Sequence, residues 1–111
     1  MRKVFRRAAA RRDLIEHFVY LAQEADEATA ERFFASADDT FLQLAQDPNI
    51  GTPLLLNAKE LVALRKWRVR DFPKYLIFYL PRPDGVSIVR VLYGNQDWWG
   101  LLGLLSGDPD I

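Results

Sequence analysis

The spacing of the apolar residues changes once along this chain, and that change restricts the fold more than any single motif. From Asp13 to Ala25, the residues Leu14, Phe18, Leu21 and Ala25 recur at i, i+4, i+7 and i+11, flanked by Ile15, Val19 and Ala22. Between Glu27 and Gln46 a second stripe runs through Ala30, Phe33, Phe34, Ala37, Phe41, Leu44 and Ala45. Both spacings belong to amphipathic helices. The short link around Asp26 makes the two helices antiparallel neighbours. The stretch from Asp47 to Pro53 ends the second helix, because a residue before proline is driven out of the helical region and Gly51 permits a turn.

After Leu64 the period becomes two. Trp67 and Val69 point one way along Leu64 to Phe72, and Lys66, Arg68 and Arg70 point the other. Tyr75 to Leu80, and Val86 to Tyr93 apart from Ser87 and Arg90, are apolar on both faces and read as central strands. Pro81-Arg82-Pro83-Asp84-Gly85 joins them as a hairpin. Lys3 to Arg7 supplies a possible further strand. The expectation is one α+β domain over residues 1–111. It has two layers, an N-terminal strand and an α-helical hairpin packed on a small antiparallel sheet of three to four strands.

Cysteine is absent and His17 is the single histidine. Disulfides, thiolate nucleophiles and multi-His metal centres are therefore excluded, and no cofactor or metal is expected. No run approaches the ~20 apolar residues of a membrane span. The basic start leads into Ala-Ala-Ala-Arg-Arg-Asp, not into an apolar signal segment, so the expected location is the cytoplasm, with no membrane partner. The 15 basic and 15 acidic side chains cancel, but they are segregated. Residues 1–12 carry six cations and no acid, residues 13–58 one cation and nine acids, and residues 59–90 eight cations and three acids. A domain built this way is expected to have faces of opposite sign.

Five cations, Arg65, Lys66, Arg68, Arg70 and Lys74, fall within ten residues. Alternation puts Lys66, Arg68 and Arg70 on one face at a spacing of about 6.7 Å. That stripe suits phosphate or carboxylate contacts, or it is a solvated sheet face. Arg90, set among Ile88, Val89, Val91 and Leu92, either pairs with a carboxylate such as Asp71 or Asp97 or faces a ligand. Asp13 reads as an N-terminal helix charge and His17 as a boundary residue. Tyr93 stacks, carries a proton or packs at the rim. Trp98, Trp99 and the leucine-rich tail either cap the core or present a patch to another chain. No glycine-rich phosphate loop, nucleophile elbow or metal spacing is present.

The order of these features resembles the RelE/ParE superfamily of toxins from bacterial type II toxin–antitoxin modules, closer to ParE. The resemblance spans nearly the whole chain. It is carried by Ala9, Asp13-Leu14 and Tyr20, by Phe41-Leu42, Leu44-Ala45 and Pro48 to Gly51, and above all by the C-terminal half. There the matching residues are Leu64-Arg65, Trp67 to Val69, Phe72, Tyr75 to Tyr79, and Ile88 to Gly94 with Asp97. The resemblance implies a toxin neutralised by a cognate antitoxin encoded by an adjacent gene, which would cover apolar residues such as Trp67, Trp98, Trp99, Leu101 and Leu102. A ParE-like member would inhibit DNA gyrase without nuclease activity, through Arg65, Lys66, Arg68, Arg70, Arg90, Tyr93 and Asp97. A RelE-like member would cut mRNA on the ribosome, with Arg65, Lys66, Arg68, Arg90 and Tyr93 as the catalytic set. A weakly toxic member that only binds its antitoxin is the third reading. Two departures bear on these readings. Where ParE-like chains read His-Gly-x-Arg-Asp, this one reads Tyr93-Gly94-Asn95-Gln96-Asp97. Gln96 removes a cation, and Tyr93 stands where a RelE-like nuclease would place a tyrosine.

Overall fold

The change of period becomes a change of layer. A computed structural model describes residues 2–54 and 63–94. It contains strand β1 (Lys3–Arg6), helices α1 (Ala8–Glu24) and α2 (Glu27–Gln46), and strands β2 (Thr52–Pro53), β3 (Arg65–Val69), β4 (Phe72–Arg82) and β5 (Gly85–Tyr93). The sheet order is β1-β5-β4-β3-β2, so the two strands that are apolar on both faces hold the central positions. The sheet has five strands, where three to four were expected, and it is mixed. The β3–β4–β5 meander is antiparallel, but β1 lies parallel to β5, with Lys3 opposite Gly85 and Arg6 opposite Ile88. The added strand is β2. Two residues, one of them a proline, carry no alternation to read.

Alternation along β4 divides the apolar side chains between the two faces of the sheet. Tyr75, Ile77 and Tyr79 face the helices and pack with Phe33, Ala37, Phe41 and Leu44 of α2 and Ala10 and Leu14 of α1. Leu76 and Phe78 belong to a second cluster with Leu64, Val89 and Leu92. The register shift after Phe78 leaves Val89 as the extra residue of a bulge between Ile88 and Arg90.

Ala25 and Asp26 alone separate the helices. The Asp26 carboxylate accepts the Thr29 amide at 2.7 Å and so caps α2. That bond holds its pKa below the ordinary carboxylate range. Asp13, expected at the start of the first helix, instead lies inside α1, which begins at Ala8, and is only 5% exposed.

Side-chain hydrogen bonds tie α2 and the loop after it to the sheet. The buried Tyr79 hydroxyl donates to the Pro48 carbonyl at 2.7 Å and accepts the Gly51 amide at 2.9 Å. Only glycine fits at position 51, because a Cβ there would overlap the Tyr79 ring and hydroxyl. Gly85, at φ 153°, meets the Lys3 backbone just as closely, and this approach is what seats β1. Thr40, buried in α2, donates to Ser36 O and accepts the Arg70 amide at 3.0 Å, which fixes the β3–β4 turn.

The last tie joins α1 to β5. β1 stops at Arg6 while β5 runs on to Tyr93, so among the described residues no strand borders the outer edge of β5 past Ile88. Two side chains one helical turn apart on α1 close that edge. Asp13 Oδ2 accepts the Val91 amide at 2.9 Å, and the His17 Nε2–H donates to the Val91 carbonyl at 2.7 Å. The Arg90 guanidinium spans both oxygens of Asp13 at 2.7 and 2.8 Å and neutralises the buried carboxylate.

Two stability measurements check these ties. Tyr79→Phe leaves the Pro48 carbonyl and Gly51 amide without their shared partner and is expected to cost about 1–3 kcal/mol in denaturant unfolding. Burial raises the Tyr79 pKa above that of a free phenol. Its contribution is therefore fully present below about pH 10 and lost as the pH climbs through the folded-state value, so the variant should flatten the alkaline limb of stability. Asp13→Ala removes the bidentate carboxylate from Arg90 and the acceptor from the Val91 amide, and is expected to cost about 3–5 kcal/mol. Combined with Arg90→Met, the loss should fall short of the sum of the single losses by about 1 kcal/mol or more. Additive losses would mean that the pair is not coupled.

Candidate functional site

The cations of the third quarter do not form one stripe. Arg65 turns toward the loop after α2, and its Nη1 donates to the carbonyls of Asn49 at 3.1 Å and Gly51 at 2.6 Å. Lys66 and Arg68 project from the other side of β3, opposite Phe78 and Leu76 of β4. The strand's register slips between Arg68 and Val69, and Arg70 lies beyond it in the turn, where Asp71 adopts the left-handed φ of 66°. Aspartate tolerates that conformation better than most residues. The expected face shared by Lys66, Arg68 and Arg70 is thus interrupted by backbone geometry that a strict period of two does not contain.

Part of the set does converge. Trp67, Arg68, Arg70, Asp71 and Pro73 line a groove of about 600 Å³ with Asp39 and Gln43 of α2. The Arg68 guanidinium lies 5.2 Å from the Trp67 ring centre, and Trp67 packs its inner side against the core. An indole beside two arginines can hold a planar or anionic group, while Asp39 and Asp71 offset the charge. Sequence reasoning missed Asp39 and Gln43, which lie off the apolar stripe of the second helix. It also missed Thr40, which positions Arg70. A threonine between Ala37 and Phe41 on an otherwise apolar stripe was the available sign.

The other expected site residues have different surroundings. Arg90 pairs with Asp13, not with Asp71. The hydrogen bond to Asp13 raises its pKa above the ordinary guanidinium value, so it stays charged throughout the working range. Tyr93 is half-buried, its ring 5.1 Å from that of Tyr75 at 70°. His17 is held by Val91 and by edge contacts with Phe33 and Tyr75 at 5.9 and 4.9 Å. Asp97, Trp98, Trp99, Leu101 and Leu102 lie outside the described residues. Among the described residues the expected separation of charge is bridged by Arg90–Asp13 and by Arg6–Asp38, each at 2.7 Å. No described helix is long and apolar enough to cross a membrane.

Comparison with known proteins agrees with this architecture. One solved chain, from the chromosomal ParDE TA system of P. aeruginosa, superposes with a TM-score of 0.67 at 13% identity, covering 84% of this chain and 96% of that one. At that identity the likeness establishes the fold. No curated protein sequence matches the chain. The family model for the ParE toxin of type II toxin–antitoxin systems matches residues 4–98, which takes in the helical hairpin, the grooved turn and every described strand but the first residue of β1. On that match, the chain belongs to the ParE toxin family of type II toxin–antitoxin systems.

Proposed function

We propose that this protein is a toxin that acts by binding DNA gyrase, without nuclease activity, and that a cognate antitoxin encoded beside it neutralises it. The observation that carries the choice is the pairing of Arg90 with Asp13. Cleavage of RNA through a 2′-hydroxyl needs preorganised donors for the developing phosphorane charge and a general base within reach. Of the five residues of the nuclease reading, Arg65 is bonded to two backbone carbonyls and Arg90 to a carboxylate. The one imidazole donates to Val91 inside the helix–sheet seam. A binding mode asks less, namely an exposed and rigidly backed surface. Arg68 and Arg70 beside Trp67 supply it, with Lys66 on the same strand, Tyr93 at the end of the last one and Asp97 four residues further along the sequence. The antitoxin contact is assigned to Trp67 together with Trp98, Trp99, Leu101 and Leu102. A gyrase target places the protein in the cytoplasm.

Expression without antitoxin tests the reading. Plasmid supercoiling should fall and DNA damage responses rise while transcripts remain intact. Transcript cleavage at ribosomal positions would overturn it in favour of the nuclease, and normal growth would leave a weakly toxic antitoxin binder. Arg68→Ala and Arg70→Ala should each weaken gyrase inhibition roughly tenfold, the effect of losing a charge-assisted hydrogen bond of about 1.5 kcal/mol, with Tm unchanged. The product of the adjacent reading frame should co-purify with the protein.

A further inference from the structure

A second groove, which shares Asp71 and Pro73 with the one that holds Arg68 and Arg70, opens where the described chain ends. Its volume is about 350 Å³, and its apolar walls are Tyr20 and Leu21 from the last turns of α1, Phe72, Pro73 and Tyr75 from β4, and Tyr93 from β5. Asp71 and Lys74 are its charged members. Tyr20 is 58% exposed, a large aromatic ring left to solvent beside five other apolar or aromatic side chains. The Gly94 amide donates to the Lys74 carbonyl at 2.6 Å, so the chain leaves β5 from the groove itself.

We propose that this groove is the intramolecular seat of the chain's own segment Trp98–Leu105, with the indoles of Trp98 and Trp99 as its anchors. The chemistry of the two surfaces matches. Residues 98–105 read Trp-Trp-Gly-Leu-Leu-Gly-Leu-Leu, without one charge, and the next ionisable side chain is Asp108. Trp98, Leu101, Leu102 and Leu105 recur at i, i+3, i+4 and i+7, the spacing that puts four apolar side chains on one helical face. Such a segment is costly to leave in water, at about 25 cal/mol for each Å² of apolar surface exposed. The tether is adequate. Three residues lie between Gly94 and Trp98, and the four Cα steps reach up to about 14 Å when extended, which spans a groove whose wall includes Tyr93. Charge agrees as well: Asp97 precedes Trp98 in the sequence and is opposite in sign to Lys74 of the groove. Tyr75 already makes edge contacts with Tyr93, His17 and Phe72, and an indole extends an aromatic cluster of this kind in the same geometry.

The inference concerns the free chain and is independent of the gyrase reading. Its test is tryptophan fluorescence on the full-length protein. Trp67→Phe leaves Trp98 and Trp99 as the only indoles, and their emission should be blue-shifted, with acrylamide quenching several-fold weaker than in denaturant and unchanged on dilution. Tyr20→Asp with Pro73→Asp replaces two exposed wall residues and should shift that emission to the red and restore quenching, with the circular dichroism of the fold retained. If Trp67→Phe disturbs folding, the difference between the native protein and Trp98→Phe/Trp99→Phe isolates the same signal. Solvent-like emission, or shielding that survives the two groove substitutions, would overturn the proposal. Shielding that disappears on dilution would overturn it in favour of a second copy of the chain as the occupant.

Discussion

The architecture depends on how β5 is finished along its outer edge. β1 covers only the first half of that edge, and a strand edge left open inside a fold strands backbone donors and acceptors away from water. Beyond β1, α1 meets that edge with two side chains, Asp13 for the Val91 amide and His17 for its carbonyl. The arrangement brings a carboxylate into a dry seam. A lone charge there would be prohibitive, and Arg90, wrapping back from the neighbouring position on the strand, makes it tolerable. The position of the helix on the sheet, the end of the parallel pairing and the fate of the most unusual arginine are therefore one problem with one solution.

The same logic redistributes the other cations. Arg65 sits in a run that looks like a recognition stripe, yet its guanidinium holds two carbonyls of the Asn49–Gly51 turn, the turn that Tyr79 secures from beneath. Arg70 escapes the strand because the register slips before it, and Thr40 then fixes its backbone. What lines the groove is a smaller group, Arg68 and Arg70 around Trp67, set between a helix and a tight turn. The binding role proposed above needs such a rigid surface more than it needs a catalytic constellation.

Much of this was legible in the residues alone. The bounds of α2 follow from its stripe and from Asp26 as its cap, and the central places of β4 and β5 follow from side chains that are apolar on both faces. The start of α1 was not legible. Ala8-Ala9-Ala10 carries no capping residue, and Arg11 and Arg12 oppose the helix dipole, so the pattern first becomes visible at Asp13. β2 is too short to show a period, and nothing in Lys3–Arg6 specifies a parallel neighbour. The orientation of β1 depends on which way the meander delivers β5.

Local patterning by itself determined the two helices, the meander and the kind of chain that could carry them, because the period of apolar residues is a property of neighbouring positions. Tertiary structure alone decided which charged residues remain for function. Asp13 meets Arg90 across 77 positions of sequence, and Arg65 meets the turn at Asn49 across 16. Whether a cation is a ligand for a partner or a brace for its own backbone depends on which acceptor the fold brings within about 3 Å, and no spacing along the sequence contains that distance.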